Sequence, residues 1–327
     1  MKKLICLIAV VASLLVASCG SGATSGAKKF TVAVIPKGTT HAFWKSIYAG
    51  ASKAASDYKA QGIEVDIIWK GPLREDDREQ QIQVVEGFIS QGINGIVLAP
   101  LDRVALVRPV EEAKRAGIPT VVIDSGLDSE QITSFAATDN RKGGMLAAER
   151  LGSLLGGKGK VTMLRYAEGS ASTTDREEGF LEEMRSKFPD IELISIDQYA
   201  GATRDTAKRA SENLLQRFAG DVNGIFTPNE SASVGMLLAL QDRGLAGKVR
   251  FVGFDATPQF IEAMKNSQMQ GVVVQNPFAI GELGVKAMVD SLLGRPVEKR
   301  IDTGVMIITP ENMNSPDAQK LLNPPVQ

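Results

Sequence analysis

The chain has 327 residues, enough for one large or two medium-sized domains that each bury an apolar core. Its 37 Lys and Arg residues nearly balance 38 Asp and Glu residues, which leaves a formal net charge of -1 at pH 7. This balance provides no electrostatic attraction for nucleic acid, so we expect no nucleic-acid partner. The chain contains one histidine, which excludes a histidine-rich metal site.

Residues 1–19 are typical of a bacterial export signal that ends in a lipidation site. Lys2 and Lys3 precede a short apolar run over residues 4–16, and small residues then lead to Cys19. The run Val16-Ala17-Ser18-Cys19 resembles a lipobox, whose cysteine becomes the acylated N-terminus after cleavage. The alternative is an ordinary secretory signal in which Cys19 is incidental.

The residues that follow the signal predict a tether and a mature protein without a thiol pair. Residues 20–29 are rich in Gly, Ser and Ala, a composition typical of a flexible linker. The only other cysteine, Cys6, lies inside the signal and would be removed with it. We therefore expect no disulfide, no cysteine catalysis and no thiolate metal site in the mature protein. We also expect the lipid anchor to be its only attachment to a membrane.

The first half of the chain after the tether alternates buried strands with helices. The predicted strands are 30–35, 65–69, 95–98 and 120–123, and the predicted helices are 43–59, 75–91 and 103–116. Gly62, Gly92 and Gly117 each follow a helix and are expected to provide a left-handed cap. Strands separated by helix-length segments indicate parallel βαβ units.

The same alternation begins again near residue 160. The predicted strands are 160–165, 192–196, 224–226, 250–252, 271–275 and 304–308, and the predicted helices are 176–186, 203–218, 231–243, 258–266 and 280–293. Two successive rows of this kind predict an α/β protein with two doubly wound parallel sheets.

Polar and aromatic side chains follow many of the predicted strands, where open parallel sheets bind ligands. Carboxylates, amides and guanidinium groups suit the hydroxyls of a sugar or polyol, and aromatic rings suit the C–H face of a sugar ring. The candidate ligand-binding residues are Lys37, His41, Phe43, Trp44, Asp102, Asp124, Ser125, Thr174, Arg176, Asn229, Asp255 and Gln275. The alternative is that the Asp and Asn side chains cap the next helix, and that one of the two aromatic residues packs in the core.

Competing chemistries have little support in the sequence. No Gly-x-Ser-x-Gly elbow is present, and the glycine-rich run at 156–159 precedes a strand, which favours a helix-ending turn over a phosphate loop. The paired carboxylates at 177–178 and 182–183 are interpreted as a solvated helix face. We therefore expect no enzyme activity, no catalytic residue, no cofactor and no metal.

With these residues in view, the chain resembles the ribose-binding-protein family of periplasmic solute receptors, which has the type I fold shared with LacI-type repressors. The resemblance covers essentially everything after the tether. It rests on Phe43-Trp44, Val121-Val122-Ile123-Asp124, Thr138-Asp139-Asn140 with Gly143-Gly144, Asp175-Arg176-Glu177-Glu178-Gly179-Phe180, Asn229-Glu230, Val252-Gly253-Phe254-Asp255 and Gln275. A repressor would need an N-terminal helix-turn-helix, where this chain has an export signal.

The resemblance implies two lobes that close on a ligand like a hinge. The first lobe would comprise residues 30–138 and 276–303, and the second 139–275 and 304–327, with crossovers near Asp139, Gln275-Asn276 and Thr303-Gly304. Phe43 and Trp44 would flank the sugar.

The implied function is the solute receptor of an ABC importer, a monomer in the periplasm or outside the cytoplasmic membrane that hands its ligand to a permease. The alternative is a chemoreceptor or a quorum-signal sensor, similar to an autoinducer-2 receptor, that presents the closed form to a signalling partner.

Several positions depart from the ribose pattern. Ser125 and Thr174 stand where that pattern has arginine, and Ala99 stands where it has asparagine. The run Ile35-Pro36-Lys37 resembles the autoinducer-2 receptor branch. We therefore expect another pentose, a hexose, a polyol or a modified sugar rather than ribose.

Overall fold

The computed structural model describes residues 28–218 and 220–324. The predicted signal, its lipidation site and most of the predicted tether lie outside these residues. The strands are β1 Lys28–Ile35, β2 Ile63–Trp69, β3 Gly95–Leu98, β4 Thr120–Ile123, β5 Ser134–Ala137, β6 Gly159–Arg165, β7 Ile191–Tyr199, β8 Gly224–Phe226, β9 Arg250–Phe254, β10 Gly271–Gln275, β11 Arg300–Asp302 and β12 Val305–Ile308. The helices are α1 Ala42–Lys59, α2 Arg78–Gln91, α3 Val107–Arg115, α4 Asn140–Leu154, α5 Ala171–Lys187, α6 Arg204–Phe218, α7 Glu230–Asp242, α8 Pro258–Lys265, α9 Pro277–Leu292 and α10 Pro316–Leu322.

The strands form two six-stranded sheets. The first has the order β11-β5-β4-β3-β1-β2, and all its neighbours are parallel. The second has the order β12-β10-β9-β8-β6-β7, and only β12 runs antiparallel to its neighbour. Each sheet with the helices packed on it is called a lobe below, the first lobe holding β1 and the second holding β6. The two doubly wound sheets confirm the predicted fold class.

The described chain passes between the lobes three times. It leaves the first sheet after β5 and enters α4, which packs against the second sheet. It returns after β10 into α9, which packs against α1 and the first sheet, and it crosses again between β11 and β12. These crossings place three short connections side by side between the lobes.

Both faces of each sheet are buried. In β1, Val32 and Val34 pack with α1 and α9, while Ala33 and Ile35 pack on the opposite face with α2 and α3. Alternate residues of a strand point to opposite faces, so the continuous apolar run of β1 follows from helices on both sides. The second lobe is built in the same way around two apolar clusters.

The glycine caps and the glycine-rich turn agree with the sequence predictions. Gly62, Gly92 and Gly117 have φ values of 79°, 64° and 76°, the left-handed region in which glycine carries no steric penalty. Gly156 and Gly157 also have positive φ and end α4 before β6 begins.

Four elements, β5, α4, β11 and α10, were not predicted from the sequence, and α5 begins five residues before the predicted helix at 176–186. In α4, Gly143 and Gly144 lower helix propensity, but a Cβ at Gly144 would overlap the carbonyl oxygen of Arg176 in α5. The close approach of α4 to α5 therefore requires glycine at position 144. The same glycine weakens the sequence signal for a helix, which is why α4 was not predicted. None of the described helices is long and apolar enough to cross a membrane.

The interpretation of the paired carboxylates in α5 as a solvated face was half wrong. Glu178 and Glu182 are exposed, whereas Glu177 and Glu183 are buried. Glu177 accepts hydrogen bonds from Arg165 Nε at 2.6 Å and from the Tyr166 backbone N–H at 3.0 Å. It thereby fixes the strand exit that brings Tyr166 to the cleft.

Candidate ligand-binding site

A cavity lies between the lobes, at the carboxyl ends of the strands. This is the position at which open parallel sheets bind ligands. The lining residues come from both lobes and are Lys37, His41, Phe43, Trp44, Glu75, Asp124, Tyr166, Ser172, Thr173, Arg176, Asn229, Glu230, Asp255 and Gln275.

The structure brings most of the predicted site residues to this one cavity. The predicted residues in its wall are Lys37, His41, Phe43, Trp44, Asp124, Arg176, Asn229, Asp255 and Gln275. They lie far apart in the sequence and meet because strand ends from two sheets face each other across the cleft.

Lys37 and Asp124 form a buried ion pair in the wall of the first lobe. Lys37 Nζ lies 3.0 Å from Asp124 Oδ2, and both side chains are about 5% exposed. Lys37 follows β1 and Asp124 follows β4, so the pair joins two strand exits. A buried charge needs such a partner because removing it from water carries a large cost in free energy.

Glu75 is the centre of a second buried network. Its carboxylate accepts hydrogen bonds from Trp44 Nε1 at 2.6 Å and from the Tyr166 hydroxyl at 2.6 Å, and it lies 2.7 Å from His41 Nδ1. Burial alone would raise the pKa of Glu75, but the hydrogen bonds from His41, Tyr166 and Trp44 outweigh it and lower the pKa to about 2. Burial acts to lower the pKa of His41, but the pairing with Glu75 outweighs this effect and raises the pKa.

The wall of the second lobe is organised around Gln275. Its amide oxygen accepts from Arg176 Nη2 at 3.0 Å and from the Thr138 hydroxyl at 3.0 Å, while its Nε2 donates to Asp255 Oδ1 at 2.7 Å. Burial raises the pKa of Asp255 to about 6, although Arg176 and the bond from Gln275 act against this rise. Gln275 ends β10, so the network is tied to one of the three lobe crossings.

Arg176 is held on several sides by the protein. Nε donates to Asn140 Oδ1 at 2.8 Å, Nη1 donates to the Pro228 carbonyl at 2.9 Å, and the guanidinium carbon lies 3.9 Å from the centre of the Phe254 ring. A guanidinium has five N–H donors, so two remain for a ligand after these two hydrogen bonds and the hydrogen bond to Gln275. The side chain is therefore preorganised.

Asn229 and Glu230 begin α7 beside this network. Asn229 Oδ1 accepts from the Ala232 backbone N–H at 3.2 Å, the capping role that the sequence analysis weighed against ligand binding. Its Nδ2 donates to Ser231 Oγ at 3.1 Å. Glu230 accepts from Arg204 Nη2 at 2.6 Å and, across the cleft, from the Phe43 backbone N–H at 3.4 Å.

The two aromatic residues at the start of α1 have different surroundings. Their rings meet edge to face, with centroids 5.0 Å apart. Trp44 is buried and belongs to the core of the first lobe, whereas Phe43 is half-buried. Both line the cavity, and Phe43 has the more accessible ring.

Three predicted residues lie outside the cavity wall for identifiable reasons. Asp102 accepts backbone N–H bonds from Val104 and Ala105, both at 2.9 Å, so it caps its own turn. Ser125 Oγ accepts the Ser172 backbone N–H at 3.0 Å, a contact between lobes. Thr174 lies on α5 between Thr173 and Arg176, which line the cavity, and the turn of the helix takes it off their face.

Five residues in the wall were missed by the sequence analysis: Glu75, Tyr166, Ser172, Thr173 and Glu230. Tyr166 directly follows β6 and could have been found by the same strand-exit argument. Glu75 lies in the loop after β2, where its polarity alone does not distinguish it from the neighbouring Asp76 and Asp77.

Polar contacts across the cleft hold the lobes together in this structure. Lys37 Nζ reaches Ser172 Oγ at 3.1 Å, Tyr166 reaches Glu75, and the Arg103 backbone N–H donates to the Gly169 carbonyl at 2.9 Å. The structure is therefore a closed arrangement. The described residues contain no cluster of His, Cys, Asp and Glu that could hold a metal ion.

Proteins of known role are similar to this chain in sequence. The chain is 29% identical over 317 residues to the ribose import binding protein of Bacillus subtilis, covering 94% of this chain and 99% of that protein. It is 32% identical to the D-allose-binding periplasmic protein of Escherichia coli over 267 residues, covering 79% of this chain and 83% of that protein.

Solved structures show the same similarity. A carbohydrate transporter solute binding protein from Agrobacterium radiobacter, in complex with D-arabinose, matches with a TM-score of 0.84 and 31% identity over 90% of this chain and 99% of that chain. An ABC transporter solute binding protein from Agrobacterium vitis with bound D-fucose matches with a TM-score of 0.84 and 32% identity over 90% of this chain and 100% of that chain. The model of the periplasmic binding protein domain matches residues 32–296. The chain therefore belongs to the periplasmic binding protein family.

Proposed function

We propose that this protein is the solute-binding component of an ABC importer and that it captures a sugar, polyol or modified sugar by closure of its lobes. The observation that carries the proposal is the polar cavity whose walls come from both lobes. Residues 30–138 with 276–303 and residues 139–275 with 304–327 act as the two moving bodies. Their three connections bend as a hinge, and the ligand completes the contacts that favour closure.

The charges of the cavity suit a ligand without net charge. Lys37 pairs with Asp124, His41 with Glu75, and Glu230 with Arg204 from outside the wall. An anionic ligand would have to compete with a carboxylate for each of these cations, and Arg176, the remaining cation of the wall, is joined through Gln275 to the Asp255 carboxylate. Neutral hydroxyls can instead use the remaining donor and acceptor positions of the paired groups.

The similar proteins support this ligand class. Two of them are named for ribose and allose, and two solved structures hold D-arabinose and D-fucose, so all four sugars are monosaccharides. Ser125 and Thr174 stand where the ribose pattern has arginine, so we propose that a sugar other than ribose, or a polyol, is preferred. The wall residues are proposed to bind it directly, with no chemical step and no cofactor.

A thermal-shift screen of the chain from Gly20 onward tests the proposed function. The panel contains pentoses, hexoses, polyols and phosphorylated sugars. A ligand at 100 times its Kd adds about 2.7 kcal/mol to the free energy of unfolding, which raises Tm by several degrees. We expect a neutral sugar or polyol to raise Tm and its phosphorylated form to have no effect. A panel in which no sugar or polyol raises Tm contradicts the proposal.

We also propose that the protein acts outside the cytoplasmic membrane as a monomer, anchored through a lipid on Cys19, and passes its ligand to a membrane permease. The lipobox-like run and the tether support the anchor, and the family supports the location. Cys19→Ala should move the protein from the membrane fraction to the soluble fraction, whereas Cys6→Ala, in the removed signal, should not. Membrane association that persists in Cys19→Ala would mean that the anchor lies elsewhere or that the signal stays uncleaved, and the mass of the purified protein distinguishes the two.

A further inference from the structure

A second cavity adjoins the polar one. The two share Phe43, Asp255 and Gln275 in their walls. A ligand held in the polar cavity therefore borders the second cavity at these three residues.

The walls of the second cavity are mostly apolar. Apart from the shared Asp255 and Gln275, Ser46 is the one polar residue in a lining that also contains Ala42, Phe43, Ala256, Val274, Pro277, Leu321, Leu322 and Pro324. Apolar groups are stabilised when they leave water for an apolar surrounding, so this lining favours an apolar group beside the three polar side chains.

The second cavity, like the first, lies between the lobes. Ala42, Phe43 and Ser46 belong to the first turns of α1 in the first lobe. Leu322 packs into a core of the second lobe, and the C-terminal segment, here Leu321, Leu322 and Pro324, forms the opposite wall. A group held here would contact both lobes and would add to the free energy of closure.

We infer that the site accepts a sugar that carries an apolar substituent, with the hydroxyls in the polar cavity and an alkyl or aryl group in the cavity lined by the C-terminal segment. This inference rests on the proposed function and specifies its substrate class. Phe43 lies between the two parts of the ligand. Asp255 and Gln275 bind the hydroxyls nearest to the substituent.

The experiment compares each sugar that binds with its methyl and n-butyl derivatives by isothermal titration calorimetry. The derivatives carry the alkyl group either on the anomeric oxygen or on the terminal hydroxyl, so that both orientations of the sugar are covered. In one of the two series Kd should fall by about fourfold for each added methylene, as expected for burial of apolar surface.

Variants that fill the cavity sharpen the test. Leu322→Trp and Ala256→Leu each place a larger side chain in the cavity from a different part of its wall. If one variant does not fold, the other still provides the test. Either should abolish the dependence of Kd on alkyl length while the free sugar keeps its Kd within about twofold. Lys320→Trp, which introduces the same ring at an exposed position of α10, should behave as the wild type.

The outcomes separate the two proposals. If no free sugar or polyol binds, the proposed function fails and this inference fails with it. If free sugars bind but neither butyl series binds better than the free sugar, only the apolar subsite is contradicted. A gain from alkylation that the filling variants leave unchanged also contradicts the assignment to this cavity.

Discussion

Asp124 and Asp255 occupy corresponding places in the two lobes. Asp124 directly follows β4 and has a φ of 62°, and Asp255 directly follows β9 and has a φ of 70°. This backbone region is costly for most residues and is tolerated best by Asn, Asp and Gly. Such strain is often found at ligand sites, and here it turns two carboxylates toward one cavity.

We predict that Asp124→Ala or Asp255→Ala weakens ligand binding by roughly 1–3 kcal/mol, because each leaves buried polar groups without a partner. Because alanine is strained at positive φ, Asp→Asn at each position provides a second variant that keeps the backbone. Calorimetry with the best ligand of the screen measures Kd. Asp221→Ala, at an exposed surface pair, is the control. Unchanged affinity in both alanine variants would contradict the site.

Glu75 should stabilise the fold in a way that depends on pH. Its pKa is about 2 in the folded protein against 4.5 for the free side chain, so the folded state binds its proton more weakly. Its stabilisation is fully present above pH 4.5 and is lost as the pH falls toward 2, amounting to about 3 kcal/mol at neutral pH.

Glu75→Gln should therefore lower the free energy of unfolding by about 3 kcal/mol at pH 7 and by clearly less at pH 3. Urea unfolding at the two pH values measures this difference. Glu79→Gln, an exposed position in the first turn of α2, is the control and should change little. A loss that is equal at both pH values would show that the effect does not come from the ionised carboxylate.

At the scale of elements, small residues decide how closely helices approach. Gly50 in α1 and Gly281 in α9 sit at the crossing of the two helices, where a Cβ at either would overlap a backbone carbonyl of the other helix. Because α9 follows a lobe crossing, this contact fixes where the chain re-enters the first lobe. Gly144 has the same role between α4 and α5.

We predict that Gly50→Ala destabilises the protein by about 2 kcal/mol or more, because the helices would have to separate. Gly87→Ala provides a matched control: this residue also lies inside a helix, α2, but no atom lies within 4 Å of the added methyl group. Gly87→Ala should raise the free energy of unfolding by about 0.5–1 kcal/mol, since alanine restricts the conformations of the unfolded chain. Chemical unfolding of the two variants measures the contrast, and a similar effect of both would contradict the close crossing.

At the scale of the whole molecule, closure depends on contacts that the protein makes with itself as well as with a ligand. The bond from Tyr166 to Glu75 joins the lobes directly, as do the contacts of Lys37 with the start of α5. These contacts are made in the closed form described here. They lower the free energy that the ligand must supply for closure.

Ligand binding should therefore reduce the radius of gyration measured by small-angle X-ray scattering. Tyr166→Phe removes one hydrogen bond between the lobes and should weaken ligand binding by about 0.5–1.5 kcal/mol. Tyr199→Phe, at a partly exposed tyrosine of the same lobe, should bind as the wild type does. A radius that stays constant at saturating ligand would contradict hinge closure, and equal Kd values for both variants would contradict the role of Tyr166.

Much of the architecture could be predicted from local patterns. The apolar run of β1 and the glycines after α1, α2 and α3 mark strands and helix ends because a strand buried on both faces and a left-handed cap each demand particular residues. The missed elements are those whose local signal is weak. β11 has three residues, and α4 carries two glycines that only its packing against α5 explains.

The sequence by itself determined that polar residues stand at the strand ends, because the topology of parallel sheets makes strand exits the place for ligands. Only the tertiary structure decided which of them face one another. Asp102 and Asp124 both follow strands of the first sheet, yet one caps its own turn and the other faces the cavity. Glu75 and Tyr166 meet although 91 residues separate them. Such contacts depend on how two lobes are set against each other, and no local preference of the chain encodes that arrangement.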